Sequence, residues 1–162
     1  MIKNIYFENF KCFNKSDIPV KNVTVLAGQN GCGKSTVIQS LLLLKQSFDK
    51  FQNLDKLIIS GELINLGNSS DIINEYTEES NIMIAITTCI EETLAINIPY
   101  EASKNLIAVE TSLAPEIEMK EMNIFKDSFE YIAADRIIPQ NIYLQLIIVE
   151  IWVFMEKKFL VI

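Results

Sequence analysis

The chain contains no histidine. That excludes Ser-His-Asp and Cys-His nucleophilic machinery, and any zinc site built on imidazole. Cysteine is nearly as scarce. Cys12, Cys32 and Cys89 are far apart and odd in number. They offer neither a C-x-x-C pair nor a disulfide framework, so they read as small buried or incidental thiols in a reducing cytoplasm. No apolar run reaches the ~18–20 residues of a membrane helix. The densest stretch, Ile142 to Met155, is broken by Gln145 and Glu150. The opening MIKNIYFENFKCF alternates polar and apolar residues, unlike a signal peptide's continuous apolar core. Internal repeats, low-complexity tracts and clear linkers are also missing.

What remains is a 162-residue chain that is 49% hydrophobic with a net charge of −7, long enough for one ordinary domain. The negative balance opposes nonspecific nucleic-acid binding by the whole surface. Lys3, Lys11, Lys15 and Lys21 fall early and admit two readings, a local basic face or solvated lysines on an edge strand.

Residues 2–7 and 10–13 read as strand, and 15–20 as a turn or edge interrupted by Pro19. Val23 to Ala27 is a short continuous apolar run with β-branched residues, which predicts a buried strand ending at Gly28. From Lys34 the pattern turns helical through about Phe48, with no Gly or Pro until Gly61. Weaker signals follow: a strand at 57–59, a short helix near Ile72, and an antiparallel hairpin from 81–90 and 93–98. Residues 104–112 could pair with that hairpin, 116–127 read as a charged, Met-rich surface helix, and 129–133 as a strand.

The chemistry lies between the strand at 23–27 and the helix. Gly28, Gly33, Lys34 and Ser35 match G-x-x-x-x-G-K-S/T within the segment GQNGCGKST, residues 28–36. A chance match in this length is on the order of one in a few hundred. Strand, Gly-rich turn and helix follow in the order a phosphate cradle requires. Gly28, Gly31 and Gly33 permit tight turns and close approach to phosphate. Amides from about Asn30 through Cys32 to Ser35 form a nest at a helix N-terminus, whose dipole favours anions. Lys34 would reach the β- and γ-phosphates, the Ser35 hydroxyl would coordinate Mg²⁺, and Thr36 would donate to the α-phosphate. The candidate nucleotide site is therefore Gly28, Asn30, Gly31, Cys32, Gly33, Lys34, Ser35 and Thr36, with Mg-ATP as its ligand. The loop itself does not choose ATP over GTP.

GQNGCGKST resembles the N-G-x-G-K-S-T form of ABC-type and SMC-like ATPases, and the preceding IYFENFKCF resembles that class's first strand. With SLLLLKQSF, SGELINLGNSSDII and FEYIAADRIIPQNIY, the likeness narrows to bacterial AAA-family ATPases of the OLD-like group. That group includes the ATPase subunits of Septu-type and retron-associated phage-defence systems. The likeness covers residues 1–143. It implies an α/β P-loop NTPase of the ABC/SMC-like head type, with a mixed sheet whose antiparallel part comes from residues 81–112. It also implies ATP hydrolysis used as a dimerisation switch, self-association through ATPase heads, and action on DNA or in phage defence with a nuclease partner. The alternative is a nucleotide- or protein-binding fragment, or a pseudo-ATPase, without turnover. An unrelated P-loop kinase or GTPase is disfavoured by the NFKCF opening and by the lack of an N-K-x-D guanine-reading motif.

Relatives tend to read R-I-G-P where this chain has Ile138 in place of the Gly; Asp135 and Arg136 precede it as an ion pair or an interface contact. The chain lacks four apolar residues ending in Asp-Glu, the pair that holds Mg²⁺ and positions the attacking water. The nearest imitation is LIIVE, Leu146 to Glu150. The family's signature sequence is absent too. These gaps predict an incomplete head: residues 1–143 as the N-terminal part of the domain, and 144–162 as an aberrant tail. A frameshift near codon 143 would account for such a tail, since the neighbouring frame can encode the more polar PTINYSRNLGIYGEKVFSY. Abundant Ile, Asn and Lys fit an AT-rich bacterial gene. Missing strands would leave apolar edges exposed.

Overall fold

The computed structural model describes residues 2–77, 80–100, 104–113, 123–125, 129–131, 152–155 and 158–161. Its framework is a five-stranded sheet in the order β2-β1-β5-β6-β8, antiparallel at every pairing. The strands are β1 (Ile2–Phe10), β2 (Phe13–Pro19), β5 (Asn81–Thr88), β6 (Thr93–Pro99) and β8 (Glu110–Leu113). Period-2 alternation explains why they share one apolar face. Ile5 and Phe7 of β1, Ile82, Ile84 and Ile86 of β5, and Leu94, Ile96 and Ile98 of β6 are all buried in one cluster. Ile84 lies opposite both Phe7 and Ile96, so the cross-strand pairs are themselves apolar.

The helix α1 (Lys34–Phe51) belongs to the same cluster. It is buried on every face from Thr36 to Phe48 except at Gln39, so it runs through the core rather than over it. Its polar residues therefore need internal partners. The Ser40 hydroxyl donates to the Val37 carbonyl at 2.7 Å. The Ser47 hydroxyl donates to the Leu43 carbonyl and accepts from the Ile58 amide. Gln46 donates to the Ile58 carbonyl at 2.6 Å and accepts from the Ile64 amide at 3.0 Å. Gln46 and Ser47 thus tie α1 to β4 (Lys56–Ile58), which pairs antiparallel with β7 (Leu106–Ala108). The helix ends at Gln52, which adopts the left-handed conformation at φ 59° and donates its amide to the Phe48 carbonyl at 2.7 Å.

A third sheet has the order β3-β11-β10-β9, from β3 (Val23–Val25), β9 (Glu130–Tyr131), β10 (Trp152–Met155) and β11 (Lys158–Val161). The β3–β11 pairing is parallel and the others are antiparallel. The described part of the segment 144–162 thus supplies two strands of this sheet.

The expected helix at 34–48 and hairpin at 81–98 are present. Others need correcting or refining. The run at 23–27 is not buried: β3 sits at a sheet edge, with Val23 57% and Val25 65% exposed. The expected pairing of residues 104–112 with the hairpin is met in part: β8 joins β6, while β7 joins β4 instead. Within 116–127 the described residues 123–125 form a 3-10 turn, and Ile124 and Phe125 face the core rather than solvent, Phe125 stacking on Phe48 at 4.4 Å. The three cysteines are free and exposed, which fits incidental thiols rather than buried ones. Asp135, Arg136, Ile138 and the segment from Leu146 to Glu150 lie outside the described residues.

Candidate functional site

The glycine-rich turn lies between β3 and α1, and its last glycine starts the helix. Gly33 holds φ +92° as the residue flanking the first turn. A Cβ there would come within 2.6 Å of Phe13 Cζ and 2.7 Å of Cys12 Sγ. The tip of the β1–β2 hairpin therefore presses against the loop where it becomes helix. Gly31 also has positive φ, +85°, but a Cβ on it would meet open space. One glycine serves close packing and the other serves only the turn.

Among the described residues no side chain caps the helix N-terminus, and its first turn holds no acidic residue. The amides of Lys34, Ser35 and Thr36 belong to the set that an α-helix leaves without an intrahelical acceptor. The helix dipole adds partial positive charge at the same point.

Lys34 folds back over the loop. Its ammonium donates to the Gly28 carbonyl at 2.9 Å and the Gln29 carbonyl at 2.7 Å, and lies 3.8 Å from Cys32 Sγ. It bridges the start of the loop to the helix and rests on neutral acceptors, and no carboxylate among the described residues pairs with it. Ser35 is exposed. Thr36 is buried, and its hydroxyl accepts from the Cys12 thiol at 3.7 Å. The eight candidate residues thus all fall within positions 28–36, with the hydroxyl of Thr36 in contact with the hairpin.

Sequence reasoning did not find the hairpin's part in this site. Lys11 Nζ donates to Gln39 Oε1 on α1 at 2.9 Å, one helical turn beyond the Cys12–Thr36 contact. Burial lowers the Lys11 amine below the usual lysine value, against weaker opposing effects of Cys12 and Asp71. Two of the other early lysines are paired with carboxylates. Lys3 pairs with Glu91, and Lys15 on the edge strand β2 pairs with Glu8 at 2.8 Å. The residues Lys11, Cys12 and Phe13 stand about twenty positions before the loop, and no local spacing announces that Cys12 and Phe13 touch it or that Lys11 touches the helix that follows.

A mixed α/β fold with an antiparallel sheet, in which an uncapped helix follows a glycine turn, is compatible with a nucleotide-handling domain. The profile of the AAA ATPase domain family matches residues 1–161, and the chain belongs to that family. It is 26% identical over 127 residues to a protein of Helicobacter pylori named ATP/GTP phosphatase, covering 76% of this chain and 34% of that protein. It is 34% identical over 44 residues to an OLD nuclease of Thermus scotoductus, covering 27% of this chain and 8% of that protein. These relatives support an OLD-like AAA ATPase. The matched region spans about a third of the first relative's length and less of the second's. Among the described residues no helix is long and apolar enough to cross a membrane.

Proposed function

We propose that residues 28–36 bind the triphosphate of ATP together with Mg²⁺, as the P-loop of an ABC/SMC-like, OLD-like ATPase head. The observation that carries this reading is the Lys34 ammonium lying over neutral loop carbonyls, beside a helix N-terminus without cap or acid. An anion entering there would meet free amides, the dipole and a cation that can exchange carbonyls for phosphate oxygens. Ser35, exposed in the first turn, is the hydroxyl suited to Mg²⁺, which takes oxygen ligands and keeps several waters. The metal would neutralise phosphate charge; the chain's own part is to bind and orient the phosphates.

The names of the two relatives point the same way, one as an ATP/GTP phosphatase and the other as a nuclease. On that basis the whole protein would hydrolyse nucleotide, associate through its ATPase heads, and act in the cytoplasm in DNA transactions or phage defence with a nuclease partner. Titration of folded wild type and Lys34→Ala with Mg-ATP and Mg-GTP tests the site, with turnover followed in the same samples. Wild type should bind and Lys34→Ala should bind at least tenfold more weakly, the scale of losing charge-assisted bonds. Folded wild type that binds neither nucleotide overturns the reading. Turnover separates a hydrolysing domain from one that only binds.

A further inference from the structure

Exposure leaves the three thiols alike, but their positions divide them. Cys89 lies in the turn that joins β5 to β6. Cys12 and Cys32 instead meet the glycine-rich loop from two sides. Cys12 stands in the turn between β1 and β2, with its sulfur 2.7 Å from where a Gly33 β-carbon would be. Cys32 immediately precedes Gly33. Its sulfur stands 2.8 Å from where a Gly28 β-carbon would be, and 3.8 Å from Lys34 Nζ. Each sulfur therefore fills the space that a side chain at one end of the loop would need.

Consecutive α-carbons are about 3.8 Å apart, which puts the Cys12 sulfur within about 8 Å of the Cys32 α-carbon. A disulfide brings its two β-carbons to about 3.5–4.5 Å, so a bridge needs the loop to move by only a few ångströms. The loop has the freedom to do so. The Cys32 amide meets the Gln29 carbonyl at 3.4 Å, longer than an ordinary hydrogen bond. Gly31 and Gly33 flank Cys32 with backbones that rearrange readily, and a β-carbon on Gly31 would meet open space.

We propose that Cys12 and Cys32 are a reversible thiol–disulfide pair that closes the phosphate loop in response to a peroxide. This rests on residues 28–36 being the triphosphate site. The Cys32 sulfur takes one oxygen from the peroxide to become a sulfenic acid, and the other oxygen leaves as water. The Lys34 ammonium beside that sulfur can donate to the oxygen it gains. The Cys12 sulfur then attacks the Cys32 sulfur, the S–O bond breaks, and a second water departs as the S–S bond forms. A small dithiol reverses the bridge by exchange. Bridging draws Cys32 away from Gly28 and Lys34 towards the hairpin, and takes its amide out of the set that would face phosphate. The coupling is reciprocal, so a bound triphosphate should oppose the bridge.

Folded wild type, Cys12→Ser, Cys32→Ser and Cys89→Ser, first reduced with a dithiol, are treated with hydrogen peroxide in the presence and absence of Mg-ATP. Intact mass and peptide mapping read the bridge, and calorimetry compares each protein's Mg-ATP affinity with that of its own reduced form. Wild type and Cys89→Ser should lose two hydrogen atoms and yield a linked Cys12–Cys32 peptide. Their affinity should fall at least about tenfold, within the usual range of coupling between two sites, and return with dithiol. Mg-ATP present during oxidation should slow the linkage. Peroxide treatment that gives no Cys12–Cys32 peptide overturns the proposal, as does bridged protein that binds Mg-ATP within twofold of reduced protein. An equal loss of affinity in Cys12→Ser would trace the effect to Cys32 alone and overturn the pair. Reduced wild type that binds no nucleotide defeats the triphosphate reading itself, and the peptide map still decides whether the bridge forms.

Discussion

Gly33→Ala is the sharpest perturbation the fold offers, because two penalties coincide at one methyl group. The position has φ +92°, and an L-residue held there costs about 1–3 kcal/mol. The added carbon would also stand 2.6 Å from Phe13 Cζ, 2.9 Å from Phe13 Cε1 and 2.7 Å from Cys12 Sγ. Phe13 has little room to withdraw, since its ring stacks on Phe7 at 5.1 Å and Phe7 is fully buried and stacked on Phe10 at 5.7 Å. Overpacking of this kind costs about 1–3 kcal/mol more. The sum, roughly 2–6 kcal/mol, is a large part of the ~5–15 kcal/mol that holds a domain folded. Gly31→Ala is the internal control: its φ of +85° carries the same kind of strain, but nothing lies within 4 Å of the new carbon. Urea unfolding followed by circular dichroism should place Gly31→Ala about 1–3 kcal/mol below wild type and Gly33→Ala at least 1 kcal/mol below that. Equal midpoints for the two variants, with unchanged slopes, would show that the hairpin does not press on the loop as described.

Other perturbations test the surrounding core and surface. Phe48→Ala removes a 3%-exposed ring stacked on Phe125 and should cost about 3–5 kcal/mol in urea unfolding. Gln46→Leu keeps the volume but leaves the Ile58 carbonyl and Ile64 amide without their side-chain partner, so a loss of about 2–4 kcal/mol is expected in the same assay. The Glu8 carboxyl is held below the ordinary glutamate value, first by its hydrogen bond to Lys15 and then by Tyr6. A depressed carboxyl contributes stability above its unfolded value and loses it as pH falls through the folded one. Thermal midpoints from about pH 6 to about pH 3 should therefore fall less steeply in Lys15→Met than in wild type; identical slopes would remove Glu8 from the acid response.

The parts of the fold legible in sequence are those whose partners lie nearby or whose chemistry repeats. Alternation in Asn81–Thr88 and Thr93–Pro99 announces a hairpin because each strand's neighbour is the other. The helix after Gly33 is announced by the motif and by the absence of Gly and Pro before Gly61. Its burial on nearly all sides is not, because Ser40, Lys45, Gln46 and Ser47 look like a solvated face until their partners are known. The division of residues 104–113 between β4 and β6 depends on pairings that no local pattern encodes, Ile107 with Leu57 and Ile96 with Thr111. Val23 to Ala27 shows the limit from the other side. A continuous apolar run reports that a strand can be covered, not that it is, and in β3 two valines face outward at the sheet's edge. The candidate site divides in the same way. Its eight residues within 28–36 are readable because a phosphate nest would be built from neighbouring amides, whereas Cys12 and Phe13 reach the loop, and Lys11 reaches Gln39 on α1, only through the fold. Gly33 packs against the hairpin and Lys34 is held by the loop's own carbonyls. If the loop is a phosphate site as proposed, such contacts would lower the cost of ordering it on binding.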